Sequence, residues 1–544
     1  MAHKTHRKVF AMISDELELH FGVSEKMATA FLTLLCHPHV SSNDPQNSSG
    51  RGGDIEAGRC HVGGMSETDF PSADDPQFDQ YMEALAKAIN YGQHQELLRG
   101  YCAGLIGPGE RKSMEPIAAR LAPENASAMH QRVHHFVADG AWSDEAVLAA
   151  VREQVLAAML RHGPIRFWIV DDTGIRKKGK ESVGVARQYC GEVGKIDNCQ
   201  VLVSLSVAND VACLPVAARL YLPEAWAEDE TRRAKVGVPL DVTFQTKPEI
   251  ALDQIRRMHT AGVAPGIVLA DEAYGRSAAF RQGIAALDMT YAVAVPSSLL
   301  VGPPAYKRLP RFWQSAAGTA SLRTLAGLLP QTAFRTVTWR EGSRSNLTSR
   351  FALLRVRVAP SGDAEDGAED EQNGAEDEQS LLIEWPDDEK DPSGYWLVTL
   401  PARVSIEKIV EIAKARWWIE QGYRDLKQEV ALADFEGRGW RGFHHHVTLS
   451  IAAYGYLLIQ RCQALRPVGG RAGRLSFPHS PIPGKPPLRP ERHVPWSIAT
   501  QRRKVTVALV RTLPRCPCCL VNFHRAEIAN RKIETAHHID LVTQ

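Results

Sequence analysis

Short apolar runs alternate with amphipathic segments in the middle of this chain, and this pattern constrains the fold most strongly. The strand-like runs are RFWIVDD (166–172), NCQVLVSLSVAN (198–209), CLPVAARLYL (213–222), GIVLADEAYG (266–275) and MTYAVAVP (289–296). The helical segments between them are PEIALDQIRRMHTAG (248–262) and SAAFRQGIAALD (277–288). Because the second and third runs are consecutive and the later ones are separated by helices, the order predicts an α/β fold with a mixed sheet.

The region before this core is predicted to be helical. Residues 37–76 are rich in Ser, Gly, Asn and Asp, which is typical of a disordered linker, and we predict that residues 1–76 form a poorly ordered extension and linker. Residues 77–162 have helical periodicity, and SMEPIAARL followed by ASAMHQRVHHFV has the proportions of a helix-turn-helix. We therefore predict a helical DNA-binding domain here, although any helical hairpin would show the same pattern.

The region after the core carries strongly segregated charge. Residues 297–403 contain short strand-like runs and an acidic segment at 361–390, which has 13 acidic residues and one lysine and predicts a solvated loop. Long helical segments follow at 404–465, and 466–544 is a basic region rich in Pro and Arg. Residues 438–544 hold 17 basic and 4 acidic residues, so the net charge of +1 conceals a basic end that favours a polyanionic partner.

Cysteine usage and hydropathy predict a cytoplasmic protein without a membrane span. The ten cysteines have no paired spacing apart from the cluster of Cys516, Cys518 and Cys519, which is typical of a reducing compartment. This cluster has no second half with CxxC or HxxxH spacing, so the sequence disfavours a zinc site there. No run approaches the ~18 apolar residues that a membrane-spanning helix needs.

Two of the strand-like runs end in acidic residues. Asp171 and Asp172 end the first run, and Asp271 and Glu272 follow the apolar part of the run at 266–275. Ligands of open α/β sheets collect at the carboxyl ends of strands, so these carboxylates are candidates for one site. Clustered carboxylates repel one another unless a cation intervenes, and hard oxygen ligands suit Mg²⁺. Each acid taken alone is also explained by a helix cap or a strand-end turn.

A third acid is predicted to lie on a helix further along the chain. One face of ARWWIEQGYRDLK (415–427) carries four polar side chains, which are Arg416, Glu420, Tyr423 and Lys427. The neighbouring face is apolar or small and is predicted to pack on a core. Glu420 borders that face, so it can join the strand-end acids, whereas the plain alternative is a surface ladder of ion pairs.

The segments DDTG, LADEAYG and WWIEQGYRDLK together resemble the DDE transposases of bacterial insertion sequences, in the branch with a Tyr-x2-Arg-x3-Glu-x6-Lys signature. Arg416, Glu420 and Lys427 match this signature with its spacing. Ala413 stands at the Tyr position, so the role of that Tyr is not carried over. The resemblance covers residues 78–465 and implies an RNase H-like core that is interrupted by a β-rich insertion.

The resemblance also implies which parts of the chain do the chemistry. The RNase H-like core would span 163–296 and 404–465, with the insertion at 297–403 between the second and third acids. By that match, Asp172, Asp271 and Glu420 are the catalytic residues and the ligands of Mg²⁺, for which Mn²⁺ can substitute. Asp171 and Glu272 are expected to point away, because adjacent residues of a strand face opposite sides of its sheet.

Eight side chains are predicted to contact DNA from the resemblance and the local charge. They are Arg416, Lys427, Trp396, Tyr423, Lys177, Lys178, Arg438 and Arg441. Arg416 and Lys427 would hold phosphates, and Trp396, in GYWLVTL, matches a family Trp that stacks on a flipped base; packing within a strand is its plain alternative. RKKGK (176–180) can contact phosphates or simply lie in solvent.

HHH (444–446) cannot bind one ion with three consecutive helical residues, so we expect packing or DNA contact.

The resulting hypothesis is a Mg²⁺-dependent DNA transposase that acts on double-stranded DNA as a homodimer. It would bind the terminal inverted repeats of an insertion sequence, hydrolyse the DNA at the ends and join the 3′-hydroxyls to target DNA. One alternative is an RNase H-like DNA endonuclease without strand transfer. Another is a non-catalytic DNA-binding protein derived from a transposase.

Overall fold

The computed structural model describes residues 75–89, 94–304, 310–315, 318–341, 346–359, 378–465, 494 and 496–512. The predicted extension up to residue 74, most of the acidic loop at 361–390 and the cysteines at 516, 518 and 519 lie outside the described residues. The chain divides into two compact units, of which the larger contains Pro76–Ile106 and Gln131–Lys504. The smaller unit includes Gly107–His130.

The first part of the described chain is helical, as the sequence predicts. Its helices are α1 (Pro76–Ala86), α2 (Gln95–Ile106), α3 (Met114–Leu121), α4 (Ala126–His134) and α5 (Asp144–Leu160). A π-helix, His135–Asp139, continues α4. Helices α3 and α4 confirm the two predicted segments of the helical hairpin, whereas their contact with DNA stays a prediction.

The central part alternates strands and helices in the predicted order. It comprises β1 (Phe167–Arg176), β2 (Ala186–Cys190), β3 (Lys195–Ala208), β4 (Cys213–Leu220), α6 (Glu224–Ala227), α7 (Glu230–Lys235), α8 (Lys247–Thr260), β5 (Ile267–Ala270), α9 (Glu272–Gly275), α10 (Ala278–Ala285) and β6 (Tyr291–Ala294). Strand β2 was not predicted, because it has no apolar run: its residues are partly or fully exposed, apart from Cys190 at its end.

The last part contains the predicted β-rich segments and the long helices. It comprises β7 (Leu300–Gly302), α11 (Arg311–Ser315), β8 (Ala320–Ser321), α12 (Leu322–Leu328), β9 (Arg335–Glu341), β10 (Asn346–Val358), β11 (Gln379–Trp385), β12 (Gly394–Val398), α13 (Ile406–Lys414), α14 (Trp417–Val430), α15 (Trp440–Ala464) and α16 (Ile498–Thr512). None of the described helices combines the length and the apolar composition that crossing a bilayer requires.

The described strands form one mixed sheet in the order β2-β3-β1-β5-β6-β12-β11-β10-β7-β8, with β4 beside β3 and β9 beside β10. Strands β1, β5 and β6 are parallel to one another, and β3 is antiparallel to β1. This arrangement is an RNase H-like mixed α/β core, as the resemblance implied. The predicted insertion continues the core sheet, because β12 pairs antiparallel with the edge of β6.

Helices cover both faces of the core sheet because each has an apolar side to bury. Helix α14 packs on β1 and β4, and its predicted apolar face is buried, including Ile419 and Leu426. Helix α8 packs on β3 and β4 and begins with a capping box between Thr246 and Glu249. These two helices reach the sheet from opposite sides. Tyr423 of α14 contacts the side chain of Ser204, whereas Lys247 of α8 contacts the side chain of Asp172, which is paired with the neighbouring Val203.

The three consecutive histidines of α15 pack inside the larger unit. The ring nitrogens of His445 lie 2.9 and 3.1 Å from the carbonyl oxygens of Val137 and Trp142. Those of His446 lie 2.9 Å from the Tyr101 hydroxyl and 3.0 Å from the Ala431 carbonyl oxygen. Each partner lies on a different part of the chain, so the imidazoles connect α15 to its surroundings. The sequence left packing or DNA contact open, and the structure shows packing.

We expect acidification to destabilise the protein through these histidines. Burial lowers the pKa of His446 to about 4, below its ordinary 6.5, so the unfolded chain binds more protons between these pH values. Stability is therefore present above pH 6.5 and falls toward pH 4, by about 1.4 kcal/mol per pH unit for each such histidine. Urea unfolding from pH 7.5 to 4.5 should show a shallower loss in His446→Gln than in the wild type. His259→Gln, at an exposed site, is the control, and parallel pH curves for all three proteins would contradict this expectation.

Candidate active site

The strand-end acids come together because β1 and β5 are adjacent and parallel. Their pairing ends at Ile169 and Leu269, so the acids that follow lie at the same edge. The sequence predicted that strand β1 ends at its acids. Instead, β1 continues to Arg176, because β3 pairs with it along that length. Asp171 and Asp172 thus lie just beyond the parallel pairing of β1 with β5, while their backbone still pairs with β3.

Asp271 is held by the turn from β5 into the short helix α9. Its carboxylate caps the helix and accepts a bond from the Ala273 N–H at 2.9 Å. Gly275 ends α9 against β6, where a Cβ would lie 1.9 Å from the carbonyl oxygen of Ala294. Only glycine permits this close approach, which fixes the helix and therefore the position of Asp271.

Asp171 and Asp172 point to opposite faces of the sheet, as expected for neighbours in a strand. Asp171 lies on the face covered by α14, where the Tyr423 hydroxyl donates to the Asp171 carbonyl at 2.8 Å and lies 2.7 Å from the Ser204 hydroxyl. The Asp171 carboxylate accepts from the Asp172 N–H at 2.8 Å. Asp171, and not Asp172, therefore shares a face with the helix that carries Glu420, which is the reverse of the predicted orientation.

Asp172 is contacted by two residues that the sequence did not suggest. The Lys247 ammonium lies 3.0 Å from Asp172 Oδ2, and the Tyr274 hydroxyl donates to the same oxygen at 3.2 Å. Lys247 is the first residue of α8, and Tyr274 belongs to α9. A signal was present, because TKPE places a lysine in a helical first turn, where acidic residues are favoured.

Arg416 bridges the strand acids and the helix acid. The predicted continuous helix is broken here: α13 ends at Lys414 and α14 begins at Trp417, so Arg416 lies in the link. Its guanidinium lies 2.6 Å from Asp171 Oδ2 and 2.7 Å from Glu420 Oε1. Glu420 is more exposed than Arg416 and Asp171, with 56% of its side chain accessible.

The electrostatics of the site are those of carboxylates crowded into a partly dry environment. Burial raises the pKa of Asp171 to about 7, although the charge of Arg416 opposes this shift. Burial also raises the pKa of Asp271, and the negative charge of Asp172 raises it further. The attraction of Asp171, Glu420 and Asp271 raises the pKa of Arg416 despite its burial. Arg416 therefore stays cationic among acids that favour a positive neighbour.

The donor set fits a hard divalent cation. Asp171, Asp271 and Glu420 offer only carboxylate oxygens. Burial and, to a lesser extent, the charge of Asp172 raise the pKa of Asp271, a shift that such a cation would oppose. Within the described residues, no three acidic, histidine or cysteine side chains are grouped closely enough to hold an ion. Arg416 stands between Asp171 and Glu420, so its ion pair with Glu420 would have to open for the third acid to take part.

The remaining members of the polar face of α14 are engaged inside the chain. The Lys427 ammonium donates to the Gly174 carbonyl at 2.7 Å and lies 2.6 Å from a Glu192 carboxylate oxygen. Tyr423 is only 8% exposed, with its hydroxyl bonded as described above. The sequence predicted that Lys427 and Tyr423 contact DNA. In the structure, their side chains instead connect α14 to β1 and to the β2–β3 hairpin.

The other predicted DNA contacts differ in how much surface they offer. Lys178, Arg438 and Arg441 are exposed, and the Arg441 guanidinium also donates to the Asp139 carbonyl at 3.1 Å. Lys177 turns inward and donates to the Phe435 carbonyl, and burial lowers its pKa to about 8. Lys177 thus fastens the loop after β1, while Lys178 is left facing solvent.

Trp396 is half-buried on β12, opposite Ala294 of the core. The Lys414 ammonium lies 5.0 Å from the centre of its ring and pairs with Glu384 at 2.6 Å. The ring therefore belongs to a cluster that links the β-rich segment to α13, with part of its surface accessible. Glu272, the neighbour expected to point away, pairs with Arg276 at the surface.

This chain is similar to two protein families and to a known relative. The family described as DDE superfamily endonuclease matches residues 84–346, and the family described as transposase DDE domain matches residues 243–455. Over 340 residues the chain is 25% identical to the probable transposase for insertion sequence element IS701 from Microchaete diplosiphon, an alignment that covers 61% of this chain and 74% of that protein. Between them, the two family matches include Asp172, Asp271 and Glu420.

Proposed function

Because this chain belongs to the DDE transposases of bacterial insertion sequences, we propose that it cuts and joins DNA at the ends of its own element. It would bind the terminal inverted repeats, hydrolyse the strand at each end and join the 3′-hydroxyl to target DNA. Double-stranded DNA is thus both its substrate and its partner, and two copies of the chain would hold the two ends.

The observation that carries this proposal is the Arg416 bridge. Arg416 connects Asp171 on β1 to Glu420 on α14, and Asp271 lies at the end of the adjacent parallel strand. Three acids from two neighbouring strands and one helix are therefore gathered at one edge of the sheet. Such a group of carboxylates, with a guanidinium among them, is suited to a phosphodiester and its cations.

Each side chain then has a defined task. Asp171, which replaces the predicted Asp172 because it faces α14, would hold the divalent ions together with Asp271 and Glu420. These ions, Mg²⁺ or Mn²⁺, would supply an activated nucleophile and a stabilised leaving oxygen. Arg416 would turn from Glu420 toward the phosphate that flanks the reacting bond. Lys427 would hold β1 against α14, so that the strand acids and the helix acid keep their relative positions.

Exposed cations and one aromatic ring would extend the contact along the DNA. Lys178, Arg438 and Arg441 would neutralise backbone phosphates, which makes binding fall steeply with salt. The accessible part of Trp396 would stack on a base displaced from the DNA end, a contact worth about 1–3 kcal/mol. Lys177 and Tyr423 would act by positioning the loop after β1 and Asp171.

A joining assay tests this function directly. Purified protein is given Mg²⁺, a duplex with a precleaved end of the element and a supercoiled plasmid, and joined product is measured. We expect end-specific joining by the wild type and none with a duplex of scrambled end sequence. Cleavage of the uncut duplex without any joining of the precleaved one would instead favour an endonuclease, an alternative that the match to the DDE superfamily endonuclease family supports.

A further inference from the structure

We propose that Arg340, which the β-rich insertion stacks on Trp417, binds a backbone phosphate of the DNA strand that enters the candidate active site. This inference rests on the proposed function, because it assumes that the strand to be cut lies along the exposed side of Glu420. Neither Arg340 nor Trp417 is among the residues that the sequence predicted to contact DNA.

The first observation is the place of Trp417 beside the acids. Trp417 begins α14, directly after Arg416 and three residues before Glu420. Residues three apart on a helix lie on the same face, with their Cβ atoms about 5–6 Å from each other. The Trp417 ring is half-buried and stacks on Trp418, with the ring centres 4.5 Å apart. The indole is therefore held in a defined position next to Glu420.

The second observation is the contact that β9 makes with this ring. The guanidinium carbon of Arg340 lies 4.4 Å from the centre of the Trp417 ring. Stacking uses the flat face of a guanidinium and leaves the N–H donors in its plane free for an anion. Within the described residues, no oxygen accepts a hydrogen bond from the Arg340 side chain and no carboxylate pairs with it. Arg340 is half-buried, so this cation has lost part of its water without gaining an anion.

A second arginine of the insertion shows how a purely structural stack differs. Arg350, on the neighbouring strand β10, lies 4.4 Å from the centre of the Trp385 ring. Its guanidinium also pairs with Asp387 at 3.0 Å. The chain thus supplies an anion to Arg350 but, among the residues that the structure describes, none to Arg340. A phosphate from outside the chain would complete the Arg340 site.

The two cations of the α14 polar face are already held by carboxylates. Arg416 bridges two acids of the site, and Lys427 pairs with Glu192. A phosphate must therefore break an ion pair before it can bind Arg416 or Lys427, whereas Arg340 has only water to release. The planar fork of a guanidinium also matches two oxygens of one phosphate. Charge and geometry both favour Arg340 as the first phosphate contact of the incoming strand.

A phosphate contact at Arg340 predicts a loss of affinity that depends on salt. Arg340→Ala should bind an end duplex about 10-fold more weakly than the wild type. One lost contact should also make the slope of log affinity against log salt concentration shallower by about 0.9. Arg340→Lys keeps the charge, so it should keep the slope, but without the planar fork its affinity should fall about 2- to 4-fold. A residue with a merely structural role would leave the slope unchanged.

The contact is located by replacing one phosphate of the end duplex at a time with an uncharged methylphosphonate. Binding is measured without divalent ions. One replacement near the cleavage point should weaken the wild type about 10-fold but Arg340→Ala less than about 2-fold, because the variant has already lost that contact. Arg350→Ala is the matched control, since it loses an Arg–Trp stack whose guanidinium is already paired, and it should respond like the wild type. Arg340→Gln, which keeps a planar group on the ring, replaces Arg340→Ala if thermal melting shows that the latter is unfolded.

An unchanged salt slope in Arg340→Ala would overturn the inference, as would a loss of affinity that adds fully to that of every methylphosphonate replacement. Failure of the proposed function has a different signature. The wild type would then bind the end duplex no better than a scrambled duplex, while Arg340→Ala would still make the salt slope shallower on both. A wild type that binds neither duplex would overturn the proposed function and the inference together.

Discussion

Asp271→Ala should lower DNA cleavage at least about 10³-fold while the affinity for the end duplex stays within a few-fold of wild type. The carboxylate lies at the end of β5, where burial and Asp172 raise its pKa, so it is poised to hold a cation. Asp171→Ala and Glu420→Ala should have effects of the same order, because Asp171 is the β1 acid that faces α14. Single-turnover cleavage and gel-shift binding, at the same salt concentration, measure the two properties separately.

Two neighbouring acids are matched controls for this prediction. Glu272 adjoins Asp271 but pairs with Arg276 at the surface, so Glu272→Ala should cleave at nearly the wild-type rate. Asp171→Asn and Asp172→Asn remove one charge each from opposite faces of β1. We expect only Asp171→Asn to abolish the response to Mg²⁺ concentration, because Asp171 shares a face of β1 with Arg416 and Glu420. The Asp172 carboxylate is engaged by Lys247 and Tyr274 instead.

Retained cleavage in Asp271→Ala would contradict the proposed site. The reverse result at β1, with Asp172→Asn inactive and Asp171→Asn active, would assign the first ligand to the acid that the sequence predicted. Loss of DNA binding together with cleavage would indicate that the substitution damaged the fold, which circular dichroism would show independently.

Arg416→Ala should destabilise the larger unit by about 2–3 kcal/mol, somewhat less than the ~3–5 kcal/mol typical of a fully buried pair that loses one partner. The substitution leaves the Asp171 carboxylate, with 12% of its side chain exposed, without its cation. The cost is reduced because 30% of the Arg416 side chain is exposed. The measurement is the free energy of unfolding in urea at pH 7.5.

A double-mutant cycle isolates the pair. Asp171→Asn in the Arg416→Ala background should restore part of the stability, since no unpaired charge remains, with a coupling energy of about 1–2 kcal/mol. The surface pair of Glu272 and Arg276 is the control, because its side chains are 54% and 61% exposed. Its coupling should be below about 1 kcal/mol. Additive effects at Arg416 and Asp171 would contradict an interaction between them.

Most elements of the larger unit could be predicted from short stretches of sequence. The hairpin of β3 and β4, the helix α8 and the strand β5 lie within a few residues of their predicted bounds. Each has a period of apolar residues that belongs to one secondary structure, so neighbours along the chain contain the information. Edge strand β2 has no such pattern of apolar residues, because it pairs only with β3 and its polar side chains are in contact with solvent.

The candidate site was only partly predictable. The resemblance pointed to Asp172, Asp271 and Glu420, and the structure brings their three elements to one edge of the sheet. The sequence could not reveal that the Lys247 ammonium contacts the Asp172 carboxylate, since the two residues are 75 positions apart in the chain. Nor could it show that Lys177 turns inward to the Phe435 carbonyl, because a run of lysines looks equally suited to solvent or to DNA.

By itself, the sequence determined the order of strands and helices, the two acidic strand ends and the spacing of Arg416, Glu420 and Lys427, because these depend on residues close together in the chain. Only the tertiary structure decided which acid of β1 meets α14 and what Arg416 holds. Arg416 and Asp171 are separated by 245 residues, so their contact exists only where β1 and α14 pack together. The physical reason is that periodicity specifies which face of an element is apolar, whereas packing between distant elements selects the partner of each charge.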